Sequence, residues 1–302
     1  MEHTALEELD TCPICAAEHL TKVMDVKDHS VSGTVFSIQE CGSCGLRMTN
    51  PRPGPNAIGK YYASDDYISH TNSSKGFLNK VYQLVRNRAL SNKHELLRSI
   101  RPNGKVLDIG CGTGQFLAYL ASRGYQVSGV EPELKARELA IADHALSVLP
   151  SLDRIPAQEQ FHFVTLWHVM EHLHDLRQTL KQVYARSASN AVVIIAVPDR
   201  ESWDAQHYGP EWAAYDVPRH LWHFRRADLS RLLQEHGFEL LRTRPMWYDA
   251  IYVSLLSEKY RGTGSFMAWL RGGAIGMLSN LISAFGKRPT SSTLYIAKKV
   301  EA

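Results

Sequence analysis

From residue 105 onward the chain switches repeatedly between two hydrophobic periods. Short apolar runs at 106–109, 126–131, 146–149, 161–166 and 191–197 read as strands. Between them, apolar residues recur at helical spacing over 115–123, 133–144 and 175–187. Gly124 closes the first of these helices, and Asp175 stands at the cap of the last. The run at 191–197 is almost entirely β-branched or small, as a strand buried on both faces should be. Such alternation predicts an α/β fold, a parallel sheet with helices on both faces. The last third is less regular. A helix is predicted over 226–236, stopped by Gly237, with strands at 238–243 and 292–298. Upstream, short strands are expected at 22–25 and 35–40, and a helix over 75–100 runs into an Arg-Pro-Asn-Gly turn at 101–104. An apolar helical stretch at 266–285 is broken by Arg271-Gly272-Gly273. It can be read as a lid, a homodimer surface, a membrane-surface helix or a buried core helix. Core packing is the default.

The chain has 302 residues, 44% of them apolar, which suffices for one large domain or two unequal ones. A formal charge of +3, with Lys and Arg spread evenly, gives no electrostatic case for nucleic acid as a partner. The acidic first ten residues do not resemble a secretion signal, and no uninterrupted apolar run is long enough to span a bilayer. A cytoplasmic location is the expectation.

Four of the 5 cysteines form two Cys-x-x-Cys pairs, Cys12/Cys15 and Cys41/Cys44. In a reducing compartment this pattern favours metal over disulfide. Two such turns complete a tetrahedron of thiolates around one structural zinc ion, with no position left open for catalysis. A redox dithiol would need a strand before the first cysteine and a helix at it, and neither is visible. The zinc ribbon is assigned to residues 1–50. Residues 51–104 form a Pro-rich linker and a helical segment that contributes to the site. Residues 105–302 form the main domain, with an apolar insert at about 261–288.

The chemistry concentrates in Asp108-Ile109-Gly110-Cys111-Gly112-Thr113-Gly114, a strand entering a glycine turn that opens a helix. About twenty residues further on, Glu131 ends the next strand, where an acid can hold both hydroxyls of a ribose. In a dinucleotide site the turn would cradle a pyrophosphate. Asp108 would repel one and would instead accept from an ammonium group. The pair of acids therefore suits S-adenosylmethionine.

At this point the sequence resembles the class I S-adenosylmethionine-dependent methyltransferases, in the branch of ubiquinone-type and small-molecule enzymes. The glycine turn is similar to their first motif and Val130-Glu131-Pro132 to their second. Leu166-Trp167-His168-Val169-Met170-Glu171-His172-Leu173, Val197-Pro198, the segment 218–224 and Gly237-Phe238 match that branch as well. The resemblance covers about 101–299. It implies a doubly wound, mostly parallel, seven-stranded Rossmann-like sheet behind the zinc ribbon. It also implies that Asp108, Gly110, Gly112 and Gly114 hold the methionine and ribose parts of the cofactor. Glu131 would bind the ribose, with Leu152 and Asp153 beside the adenine and Trp167 and His168 near the methionine end. Tyr67 would close the cofactor site.

The expected reaction is transfer of a methyl group to an oxygen or carbon of a small-molecule, sugar or lipid-like acceptor. An oxygen or carbon nucleophile must lose a proton, and histidine suits that task near neutral pH. His220 is the first candidate base, then His168 and His70. Each also has an ordinary structural reading. His168, His172 and His174 lack the order of a metalloprotease helix, and Glu171 and His172 read as anchors for the start of the next helix. The acceptor is expected between 61–70 and the aromatic loop 203–223. Two other readings stay open: a nucleoside-binding or scaffold protein that has kept the fold without the chemistry, and a nicotinamide oxidoreductase.

Overall fold

The computed structural model describes residues 6–62 and 77–301. The strands of the N-terminal part are Leu6–Glu7 (β1), Leu20–Lys27 (β2), Val35–Cys41 (β3), Arg47–Thr49 (β4) and Arg52–Pro53 (β5). Helix Phe77–Ile100 (α1) leads into Lys105–Ile109 (β6), Gln115–Ala121 (α2), Gln126–Val130 (β7), Leu134–His144 (α3), Val148–Leu149 (β8) and Phe161–Trp167 (β9). Then come Leu176–Arg186 (α4), Ser187–Pro198 (β10), Trp203–Tyr208 (α5), Trp222–His223 (β11), Arg226–Glu235 (α6) and Phe238–Pro245 (β12). A helical hairpin, Trp247–Tyr260 (α7) and Ser265–Ala284 (α8), precedes the last strand, Ser292–Lys299 (β13).

Seven strands form the main sheet in the order β12-β13-β10-β9-β6-β7-β8. All run parallel except β13, which is antiparallel to both neighbours. The alternating pattern of the sequence is thus a doubly wound sheet. Helix starts are capped locally. The Asp175 carboxylate accepts from the Gln178 amide at the head of α4, and Glu133 accepts from Lys135 and Ala136 at the head of α3. Glu171 and His172, expected to anchor the next helix, instead occupy a separate 3₁₀ turn, Met170–His172, where Glu171 is buried.

The ribbon sheet, β11-β4-β3-β2, borrows its fourth strand from far along the chain. Trp222 pairs with Met48 and His223 with Arg47. A boundary at residue 50 therefore separates segments of chain but not hydrogen-bonded sheets. The aromatic loop 203–223 is also more interior than expected. Tyr208, Trp212 and Tyr215 are buried with Phe36, Tyr61 and Val217 in a second core that joins ribbon, loop and α7. They pack a core, and Trp212 and Val217 also line a small cleft with Asp216, Arg219 and Tyr260.

Helix α8 departs from its expectation twice. It is continuous through Arg271-Gly272-Gly273, and it is inverted. Ala268, Gly272, Gly276 and Ser279 face inward, while Phe266 (73% exposed), Trp269 (65%) and Phe285 (77%) face solvent. The glycines do not break the helix because they are its contact with α7. A Cβ on Gly276 would stand 2.6 Å from the Ile251 Cα, and one on Gly272 2.7 Å from the Leu255 Cα. Gly273 points into open space. Gly276→Ala should therefore destabilise the chain by about 1–3 kcal/mol, because the opposing atoms are backbone and cannot swing aside. Gly273→Ala should be neutral or stabilise by up to about 1 kcal/mol. Urea unfolding of the two variants checks this, and equal effects would refute the close packing.

Candidate active site

The glycine turn lies at the carboxyl end of β6, between β7 and β9, where a parallel sheet opens its crevice. Gly110, Gly112 and Gly114 all have positive φ, at 70°, 54° and 75°. Their surroundings differ. A Cβ on Gly110 would meet Val169, and one on Gly114 would meet Leu146 and Ala140, so both are fixed by packing. Nothing lies within 4 Å of the Gly112 position, which faces the open crevice.

Asp108 is only 3% exposed and accepts a 2.5 Å hydrogen bond from Thr165 Oγ1. Burial lifts its pKa to about 6 against the pull of Thr165 and of Lys93. Lys93, on α1, places its ammonium 4.0 Å from the Trp167 ring centroid and 5.4 Å from that of Phe116. Burial pushes its pKa down to about 8, partly offset by Asp108 and Asp249. Glu131, 8% exposed, is clamped by two backbone amides, Gly112 at 2.8 Å and Glu133 at 2.9 Å. Burial raises its pKa in spite of these donors. Each carboxylate oxygen keeps a lone pair for a further donor.

At the end of β9, Trp167 packs edge-on against Phe116, and its buried Nε1 has no acceptor among the described residues. His168 follows with φ of 56°, in the left-handed region, and its amide donates to the Ala196 carbonyl at 2.9 Å. Its ring bridges two carboxylates: Asp249 lies 3.1 Å from Nε2 and Glu171 3.4 Å from Nδ1. Burial works against the imidazolium, but Asp249 and Glu171 outweigh it and raise the pKa to about 10. A histidine already protonated at neutral pH cannot serve as a base there.

His220 lies 4.6 Å from His172, ring centroid to ring centroid, and is 9% exposed. Its Nδ1 donates to the Ala214 carbonyl at 2.8 Å. Burial and the neighbouring His220 drive the pKa of His172 down to about 4, so His172 is neutral. Arg219, next to His220, is held by Asp216, by Asp28 at 3.3 Å and by the Tyr61 carbonyl at 2.9 Å. The structure thus joins His168, Glu171, His172 and His220 in one chain of contacts. Leu152 is buried in the main core and Asp153 is exposed beside Arg154. Tyr67 and His70 lie outside the described residues.

The four ribbon cysteines form a separate cluster. Cys12 and Cys44 are 3.6 Å apart at sulfur, and Cys15 and Cys41 3.5 Å. The four sulfurs lie within 4.8 Å of one another. Cys111, the remaining thiol, packs under the glycine turn with Leu117, Ala140 and Val148.

A family model described as a methyltransferase domain matches residues 82–243, more than half of the chain. The chain belongs to that methyltransferase-domain family. Among curated proteins, this methyltransferase-domain chain is similar to the ubiquinone biosynthesis O-methyltransferase of Bradyrhizobium diazoefficiens, at 29% identity over 46% of the chain. It is also similar to that of Rhodopseudomonas palustris, at 31% identity over 46% of the chain. In both cases the match spans 59% of the relative's length. Among solved structures, the magnesium protoporphyrin IX methyltransferase of Synechocystis, with bound SAH, superposes with a TM-score of 0.54 at 13% identity. That match covers 82% of this chain and 100% of the other, and it shows a shared fold.

Lys93, Thr165 and Asp249 escaped the sequence reading. Lys93 sits in an ordinary helical pattern, and Asp249 opens a helix remote from any motif. Their only signal is spatial. Two expectations follow for the methyltransferase-domain site. Ionising buried Asp108 opposes folding, since its folded pKa lies above the unfolded value. Stability should fall between about pH 4 and 6 and stay lower above that range, by on the order of 3 kcal/mol. Asp108→Asn should therefore stabilise the ligand-free chain at pH 7 and flatten that stretch of a pH-dependent urea series. An unchanged or lowered stability would show that Lys93 already neutralises the group. Separately, the His168 ring should stay protonated through pH 8, as read by nitrogen-15 NMR of its imidazole. A midpoint near 6.5 would dissolve the bridged arrangement.

Proposed function

We propose that the chain transfers a methyl group from S-adenosylmethionine to an oxygen of a small-molecule or lipid-like acceptor. The observation that carries this reading is the buried Asp108 carboxylate beside the open face of Gly112. A desolvated acid there would repel a pyrophosphate, which disfavours a nicotinamide cofactor, and it suits an ammonium group. The O-methyltransferase relatives support oxygen as the reacting atom.

In this reading Asp108 accepts from the cofactor's ammonium and Glu131 from the ribose hydroxyls. Leu152 and Asp153 flank the adenine. Lys93 and protonated His168 offer cations for the cofactor's carboxylate, and Trp167 Nε1 is a free donor at the same edge. Tyr67 and His70 enter from the sequence alone. The sulfonium supplies the electrophile, so the protein has to align an oxygen with the methyl group and exclude water. His168 is not the base, because it is charged. His220 remains the first candidate.

The four cysteines suit a closed structural zinc site. Zinc–sulfur bonds of ~2.3 Å place tetrahedral ligands about 3.8 Å apart, close to the two sulfur pairs described above. Such thiolates survive in a reducing, cytoplasmic setting. The three-part organisation, with breaks near 50 and 104, completes the reading.

Calorimetry with S-adenosylhomocysteine tests the proposal. The wild-type chain should bind it and should not bind NAD; the reverse would replace methyl transfer with hydride transfer. Glu131→Ala should weaken binding by about 1.5–3 kcal/mol, because two hydroxyls lose a charged acceptor and the Gly112 amide is released. An unchanged dissociation constant would remove Glu131 from the site. Zinc removal, or Cys41→Ser, should loosen the ribbon and the segment 219–225 packed on it while leaving that dissociation constant within about threefold, since the glycine turn touches neither. Hydrogen exchange read beside calorimetry checks this. Equal loss at both places would mean the ribbon supports the whole fold.

A further inference from the structure

We propose that the outer face of the α7–α8 hairpin docks this protein on the surface of an anionic phospholipid bilayer.

Three observations carry it. The first is the face itself. Phe266, Leu270, Ala274, Met277, Leu281 and Phe285 recur at helical spacing along one side of α8 and its C-terminal cap, and all are exposed. No charged residue stands on that stripe. The helix has 20 residues, so the stripe runs for ~30 Å. Trp269 is exposed beside it, and Trp247 and Tyr248 are exposed at the start of α7. More than half of the large apolar side chains exposed among the described residues lie between 247 and 285. Apolar residues scattered singly over a surface mean little, but a contiguous patch marks an interaction site.

The second is charge. The only acids between residues 240 and 300 are Asp249 and Glu258. Asp249 is turned to His168. Glu258 is fully buried and accepts from Tyr208 and Thr263. Exposed cations bracket the stripe instead: Lys259 and Arg261 before α8, Arg271 on its flank, Lys287 and Arg288 after it. The face is thus apolar along its length and positive at both ends. An anionic lipid surface complements it, because acyl chains take the rings and phosphates take the cations. A second copy of the chain is a poorer occupant. With both ends of α8 positive, neither parallel nor antiparallel pairing sets a cation opposite an acid.

The third is what lies beneath. Gly272 and Gly276 fix the inner side of α8 against the α7 backbone, Ser279 donates to Asp204, and Asn280 donates to the Trp247 carbonyl. Among the described residues no helix is long and apolar enough to cross a membrane. The large residues can therefore enter lipid from one side only, with α8 lying in the plane of the surface. A face already held rigid loses little conformational entropy on docking.

The test is flotation of the full chain with vesicles of phosphatidylglycerol and phosphatidylcholine, against vesicles of phosphatidylcholine alone. The wild type should bind the anionic vesicles about tenfold more tightly or better, and lose most of that preference in about 0.5 M salt. Leu270→Glu combined with Leu281→Glu should weaken binding about tenfold or more, since charges replace two side chains that enter the lipid. Lys287→Glu combined with Arg288→Glu should remove most of the preference for anionic lipid. Wild-type protein that stays behind when the anionic vesicles float, or that floats equally with both kinds, overturns the proposal. This arm needs no variant to fold. Flotation undiminished by Leu270→Glu and Leu281→Glu overturns it as well. So does a lipid-free wild-type dimer, seen by sedimentation velocity, that the same double variant separates; the face would then belong to a second copy. S-adenosylhomocysteine binding on the same preparations reports that each variant is folded and keeps the two readings apart. Nucleoside binding without flotation sinks only the docking surface; flotation without nucleoside binding sinks only the methyl-transfer reading.

Discussion

The antiparallel pairing of β4 with β11 fastens the ribbon to the 219–225 segment of the main domain. The strand from the ribbon and the strand from the methyltransferase domain are far apart in sequence and short. Side chains lock their register. Thr49 donates its amide to the Leu221 carbonyl at 3.0 Å and its hydroxyl to the His220 carbonyl at 2.7 Å. Arg225 and Arg200 donate to the carbonyls of Cys44 and Gly45, each at 2.6 Å. The Arg52 guanidinium lies 4.6 Å from the Trp222 ring centroid. A four-cysteine ribbon has too little core to fold alone, and a 219–223 loop has too few backbone bonds to stay fixed alone. Each supplies what the other lacks, and the histidine cluster inherits its geometry from both.

The carboxyl edge of the main sheet is arranged for a ligand at the expense of stability. Asp108, Glu131, Glu171 and Asp249 lie near one another there, facing Lys93 and His168. Low dielectric makes each uncompensated charge unfavourable, and the pKa shifts record this: Asp108 raised, Lys93 lowered, His168 raised by its two carboxylates. His168 holds a left-handed backbone conformation in the middle of this set, with φ of 56°. Strain and unmatched charge in one place are what a preorganised binding site looks like without its ligand.

The α7–α8 hairpin follows a different rule. Its two helices touch through Ala250, Gly272, Gly276 and small hydroxyl side chains, so the backbones approach closely and the large apolar residues turn outward. Asp204 fastens the hairpin to the domain, accepting from Ser279 at 2.7 Å and from the Trp212 indole at 2.7 Å. Among the described residues no helix is long and apolar enough to cross a membrane. The exposed aromatic face of α8 is held up by specific contacts beneath it and is not a frayed edge.

The sequence by itself determined the parts whose cause is local. Strand and helix periods gave the alternating layers, because side-chain direction repeats every two or 3.6 residues whatever lies across the sheet. The glycine turn was legible since three positive-φ positions within five residues tolerate little but glycine. Paired cysteines announced their own cluster. Tertiary structure decided the rest. Lys93, Asp249 and His220 reach the site from separate elements, and no short-range pattern encodes that meeting. His168 was visible as a residue, but its charge was not, because the charge depends on Asp249 and Glu171 beside it. Helix α8 was read as broken because Arg271-Gly272-Gly273 interrupts it with two poor helix formers, and as buried because the stretch is long and apolar. Only the backbone of α7, 2.6 Å from where a Gly276 Cβ would stand, decides which of its residues must face inward.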